Sequence, residues 1–100
     1  MQAITNNNII RLIGRFDFNS RHAFKDAYQP LLQPSSEKTI EINMSEVEYL
    51  DSSSLGMLML LSEKAEALGK SLVLSYPNQT VAQTLDIANM AKISNISIKT

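Results

Sequence analysis

Asp51-Ser52-Ser53-Ser54 sets an acid and three hydroxyls side by side, two residues ahead of the apolar run Met57–Leu61. A serine hydroxyl can act as a nucleophile, a phosphate acceptor or a helix cap, and its surroundings decide which. Nucleophilic catalysis needs a base beside the hydroxyl. The chain has a single histidine, His22, and no Gly-x-Ser-x-Gly turn, so hydrolysis is strongly disfavoured and His22 reads as a surface side chain. Cysteine is absent and no His or carboxylate spacing suggests converging metal ligands, so neither a metal nor thiol chemistry is expected. With three glycines in the whole chain, a phosphate-cradling glycine loop is also excluded, and no cofactor is implied.

What remains is capping or docking. One serine of the three suffices as a cap, accepting a hydrogen bond from a free N–H of the first helical turn, an interaction of about 1 kcal/mol. The helix that follows reads Leu55, Gly56, Met57, Leu58, Met59, Leu60, Leu61, which is apolar or small on every side. Packing on a sheet needs only one stripe, such as Leu55, Leu58, Met59 and Ser62. Some of Met57, Leu60 and Leu61 are then expected to lie toward solvent or the flanks, with Met57 and Leu60 or Leu61 forming an apolar docking patch beside the hydroxyls. Flexible methionines suit such an adaptable surface.

The elements needed to position this cluster are legible as a β-β-α-β-α-β-α order. "AIT" and "NIIRLIGRF" form a hairpin about Asn6-Asn7-Asn8, with Ile10, Leu12 and Phe16 on one face. Asn19 or Ser20 is positioned to cap a helix through "RHAFKDAYQPLL", whose Phe24, Ala27, Tyr28 and Leu31 share a stripe. Pro30 predicts a kink or an early end there. "TIEINM" alternates as a half-buried strand, the serine helix ends at Leu68-Gly69, and "SLVLSY" is the next strand. Asn78 caps a helix through "QTVAQTLDIANMA", with Val81, Leu85 and Ala88 on one face, and "ISNISIK" offers a last edge strand. The expected fold is one small α/β domain over residues 1–100, with helices packed on a mixed sheet of four or five strands.

Composition bounds the partners. The 44% apolar and 19% charged content is that of an ordinary folded domain, and a net charge of −1 with no basic run gives no footprint for nucleic acid. The longest apolar run falls far short of the roughly 20 residues that span a bilayer, and "MQAITNNNII" lacks the pattern of a secretory signal. A cytoplasmic protein without membrane insertion, monomeric when free, is expected.

"VEYLDSSSLGMLMLL" resembles the signature of STAS domains, the anti-sigma factor antagonists of bacterial partner-switching systems, in which Asp-Ser-Ser/Thr-Gly-Leu-Gly ends a strand and opens a helix. "GRFDFNSRHAF", "TIEINMSEVEYLD" and "ALGKSLVLSYPNQTVAQTLDIANMAKI" are similar to other parts of that family, so the resemblance runs through most of the chain. It implies a STAS-like sandwich fold and Ser52 as phosphate acceptor, with Ser53 and Ser54 as alternatives and Ser53 favoured as the cap. Asp51, Ser53, Ser54, Leu55, Gly56, Met57, Leu60 and Leu61 would contact the partner. Ser54 departs from the family, standing where glycine is usual. The implied partners are a serine kinase acting as anti-sigma factor, released by phosphorylation, and a metal-dependent serine phosphatase that resets the switch. The alternative is a STAS subunit of a larger complex, such as a lipid-transport assembly, with no phosphorylation cycle.

Overall fold

A computed structural model describes residues 1–100. The chain forms β1 (Gln2–Asn6), β2 (Ile9–Phe16), α1 (Arg21–Tyr28), β3 (Thr39–Leu50), α2 (Ser52–Glu66), β4 (Ser71–Ser75), α3 (Gln79–Ile87) and β5 (Ile96–Lys99). The five strands lie in sequence order, β1 antiparallel to β2 and the remaining pairs parallel. Each parallel step moves the same way across the sheet. Right-handed crossovers therefore place α1, α2 and α3 on one face. The core lies between these layers, a single cluster that includes Ile10, Leu12, Phe16, Ile42, Leu58, Leu61, Leu74 and Leu85. The opposite face carries Arg11, Arg15, Glu46 and Tyr49, with Arg11 Nε 3.4 Å from Glu46 Oε1 and Arg15 stacked 4.1 Å from the Tyr49 ring centre. The expected mixed sheet with packed helices is the observed one, and "ISIK" completes it as the fifth strand.

Local chemistry accounts for most boundaries. Asn7 turns the hairpin with φ of 55°, a left-handed conformation that asparagine tolerates. Ser20, one of the two residues expected, occupies the cap position of α1, but its side chain makes no capping hydrogen bond to that helix. The capping residue is Asp17, whose Oδ1 accepts the Asn19 N–H at 3.0 Å and opens a 3-10 turn, Phe18–Ser20, that leads into α1. The α-helix stops at Tyr28, ahead of Pro30, and the chain continues as a 3-10 turn over Gln29–Leu32. Gln29 stays in the α region, but Pro30 lacks the N–H that would continue the ladder. Asn78 caps α3 as expected, Oδ1 accepting the Val81 N–H at 2.8 Å. That helix ends at Ile87, leaving Ala88 exposed and outside the predicted stripe.

β3 is twice the length that alternation in the sequence suggested. It runs from Thr39 through Leu50 because β2 pairs with it as far as Leu50, whereas β4 reaches only Asn43. Two register shifts against β2 fall near Gly14, whose φ of 102° is one that side chains rarely adopt. Burial consequently moves from Ile40, Ile42 and Met44 to Val47 and Leu50, so strict alternation is lost. This long strand delivers Asp51 to the rim of the sheet. Gly69, with φ of 70°, closes the far end of α2 in the left-handed conformation expected there.

Candidate functional site

The site is the junction of β3 and α2. Asp51 leaves the strand in extended conformation, and Ser52, Ser53 and Ser54 occupy the first three helical positions. Oδ1 of Asp51 accepts the Ser54 N–H at 2.9 Å, and Ser54 Oγ accepts the Asp51 N–H at 2.9 Å. The Ser54 hydroxyl in turn donates to the Asp51 carbonyl at 2.8 Å. Together these form a reciprocal capping box, with an acid at the cap and a serine at the third position. Ser53 is therefore not the cap. Ser54 is wholly buried, so it is neither an accessible acceptor nor a contact for a partner, as the resemblance had allowed. The residue that departs from the family motif is absorbed by the helix start.

Ser52 and Ser53 remain. Ser52 is exposed on the first turn, and its hydroxyl takes no part in the cap. Ser53 is half-buried and lines a cavity of about 310 Å³ with Phe18, Arg21, Gly56, Met57 and Leu60. The free N–H groups and the dipole of the 15-residue α2 make this end locally favourable to an anion. Arg21 lies over the Phe18 ring at 4.0 Å and donates from Nη1 to the Phe18 carbonyl at 3.1 Å, which keeps a guanidinium beside the serines.

The face of α2 packed on the sheet comprises Ser54, Leu58, Leu61, Ser62 and Ala65, spaced by four, three, one and three residues. The expected stripe was out of phase. Leu58 and Ser62 belong to it, but Leu55 is only half-buried and Met59 is exposed. Leu61, expected in the docking patch, is wholly buried in the core. An apolar sequence on all sides carries no phase information, and burial of the capping serine sets the rotation. Of the residues expected in the docking patch, Leu60 is 48% exposed and Met57 half-buried, and the exposed Met59 adds to the outward apolar surface. Gly56 is exposed, and a methyl group added there would meet nothing within 4 Å. Packing within the chain does not require glycine at this position.

Sequence reasoning did not single out Phe18, Arg21 or Lys25. Arg21 and Lys25 are four residues apart and so share one face of α1, a legible signal, but only the tertiary structure sets that face against α2. His22 is exposed on α1. No three His, Cys, Asp or Glu side chains converge as metal ligands, and no helix is long and apolar enough to cross a membrane.

Five strands in sequential order, all helices on one face, and an acid–serine cap at the β3–α2 junction define a STAS-type α/β domain. The chain belongs to the STAS domain family: the family model described as "Mlab, STAS domain" matches residues 2–97. A STAS-domain containing protein of Pseudomonas aeruginosa (strain UCBPP-PA14) is 33% identical over 88 residues, which is 88% of this chain and 85% of that protein. Among solved structures, the Thermotoga maritima protein TM1081 superimposes with a TM-score of 0.78 at 23% identity, covering 98% of this chain and 84% of its own. The Bacillus cell fate determinant SpoIIAA in its phosphorylated form gives a TM-score of 0.68 at 19% identity, covering 99% and 90% respectively. At these identities the two structures establish the shared fold.

Proposed function

We propose that this protein is an anti-sigma factor antagonist or related partner-switching regulator, a binding module rather than an enzyme. When unphosphorylated it binds a serine kinase that doubles as an anti-sigma factor. Phosphorylation of Ser52 releases that partner, and a metal-dependent serine phosphatase restores binding, in a cytoplasmic cycle of a chain that is monomeric when free. The observation that carries this reading is the division of labour among the serines. Asp51 and Ser54 satisfy each other in the cap, Ser53 lines the cavity with Met57 and Leu60, and Ser52 is exposed on the same first turn with its hydroxyl outside the cap.

The physics of such a switch is simple. A phosphoserine adds about −1.5 to −2 charge and three strong acceptors. At the first turn of α2 that charge meets free N–H groups and the positive end of the dipole, so the fold tolerates it. At an interface it meets apolar surface and the Asp51 carboxylate, so a returning partner faces desolvation and like-charge repulsion. Binding changes while the domain remains folded.

The alternative is a permanent STAS subunit of a larger complex, such as a lipid-transport assembly. It is favoured by the description of the matched family model, which names Mlab and not an antagonist. The two readings separate when the native partner is captured and its affinity for phosphorylated and unmodified protein is compared by titration calorimetry. A partner with ATP-dependent kinase activity, bound much more weakly after phosphorylation, supports the switch. Equal affinities favour the permanent subunit.

A further inference from the structure

The surface beside Ser53 continues past Leu60. A second cavity, about 210 Å³, lies between α1 and α2 and shares Arg21, Met57 and Leu60 with the first, so the two form one groove. Its apolar lining comes from Phe24 and Tyr28, both buried, together with Met57 and Leu60. Its charged lining is all of one sign, Arg21 and Lys25, with His22 between them. Lys64 on α2 adds a third basic group, its Nζ 5.9 Å from the Tyr28 ring centre. No carboxylate lines either cavity, although the chain as a whole has a net charge of −1. Three of the nine Lys and Arg lie at or beside this groove, with no carboxylate lining it.

We infer that the α1/α2 groove receives a short acidic amphipathic helix of a protein partner. Its apolar residues pack on Met57 and Leu60, above the buried Phe24 and Tyr28, and its carboxylates meet Arg21, Lys25 and Lys64. An apolar lining with a polar rim is how proteins take up an amphipathic helix, whose anchors recur every three or four residues. Complementary charge adds selectivity and speeds encounter. The inference rests on reading the outer surface of α2 as protein-docking, and it also gives the phosphate a specific target. An anion at the start of α2, next to Ser53 and Arg21, repels an acidic occupant and competes with it for the guanidinium.

The test is panning of a phage-displayed library of peptides of about 12 residues against the whole chain. Enrichment of sequences with Asp or Glu and apolar residues at helical spacing is expected. Affinity of a selected peptide should fall at least tenfold with Lys25→Glu and remain unchanged with Arg15→Glu on the open sheet face, circular dichroism confirming that both variants are folded. Absence of acidic enrichment, or binding indifferent to Lys25→Glu, overturns the inference. Binding of phosphatidylglycerol vesicles that is lost with Lys25→Glu, without peptide binding, overturns it in favour of a lipid surface. If acidic peptides bind through the groove but Ser52 phosphorylation does not weaken them, the groove assignment stands and the switch reading fails. If the native partner is released by phosphorylation but ignores Lys25→Glu, the groove assignment alone falls.

Discussion

Ser54 Oγ lies 2.9 Å from the backbone nitrogen of Asp51 and 2.8 Å from its carbonyl oxygen, while the Asp51 carboxylate holds the Ser54 N–H at 2.9 Å. The two residues close the start of α2 on each other and leave Ser52 unencumbered. Of three consecutive serines, the capping role thereby falls to Ser54 and the exposed Ser52 takes no part in it.

Ser54→Ala should destabilise the domain by about 1–2 kcal/mol, because it removes one half of the capping box and leaves the Asp51 N–H without its acceptor. For a domain of this size that is a fall in Tm of roughly 4–8 °C per kcal/mol. Ser52→Ala should change stability by less than about 0.5 kcal/mol, as expected of a surface position outside the cap. Thermal and urea denaturation of both variants provides the comparison. An equal loss in the two would mean that Ser52 shares in the cap.

Incubation with the cognate kinase and ATP should place phosphate on Ser52. Peptide mapping by mass spectrometry reads the position directly. Phosphate on Ser54 would require the helix start to open, and phosphate confined to Ser53 would move the switch one position along the groove.

Ser52→Asp should weaken partner binding and Ser52→Ala should preserve it while blocking release by ATP. The aspartate effect should be partial, since it supplies about one charge against the −1.5 to −2 of phosphate. Titration calorimetry on both variants and on phosphorylated protein measures this, and an aspartate variant that binds like wild type would argue against charge as the signal.

Leu60 and Leu61 are neighbours with opposite fates. Leu61→Ala should cost about 2–5 kcal/mol through a core cavity. Leu60→Ser should leave Tm nearly unchanged and reduce partner affinity by about tenfold or more. Denaturation curves paired with calorimetry separate the two effects, and an unaltered affinity for the Leu60 variant would remove it from the interface.

Gly56→Ala gives a sharper separation. A helix-interior glycine is less favourable than alanine by about 0.8–1 kcal/mol, and the added methyl has open space around it. The variant should therefore be more stable than wild type, by up to about 1 kcal/mol, while binding its partner less well because the backbone can no longer be approached as closely. Higher stability with full affinity would show that no partner packs against Gly56.

Much of this protein was legible from side-chain periodicity and turn chemistry. The hairpin at Asn7, the Asn78 cap, the Gly69 terminus and the acid–serine motif all rest on interactions within a few residues. Such signals survive in a linear reading because the groups that interact are adjacent in the chain. The second half of β3, the rotation of α2 and the make-up of the groove did not survive in that form. β3 runs on to Leu50 because β2, about 30 residues earlier, pairs with it across two register shifts. Leu61 is core and Leu60 is surface because burial of Ser54 turns an evenly apolar helix through one particular angle. Arg21 and Lys25 gain their place beside Met57 because three right-handed crossovers in one direction lay α1 and α2 side by side on the same sheet face. Local pattern determined which elements form and where most of them stop. Long-range packing decided which side of each element is hidden, since burial depends on the surface an element meets and not on its own sequence alone.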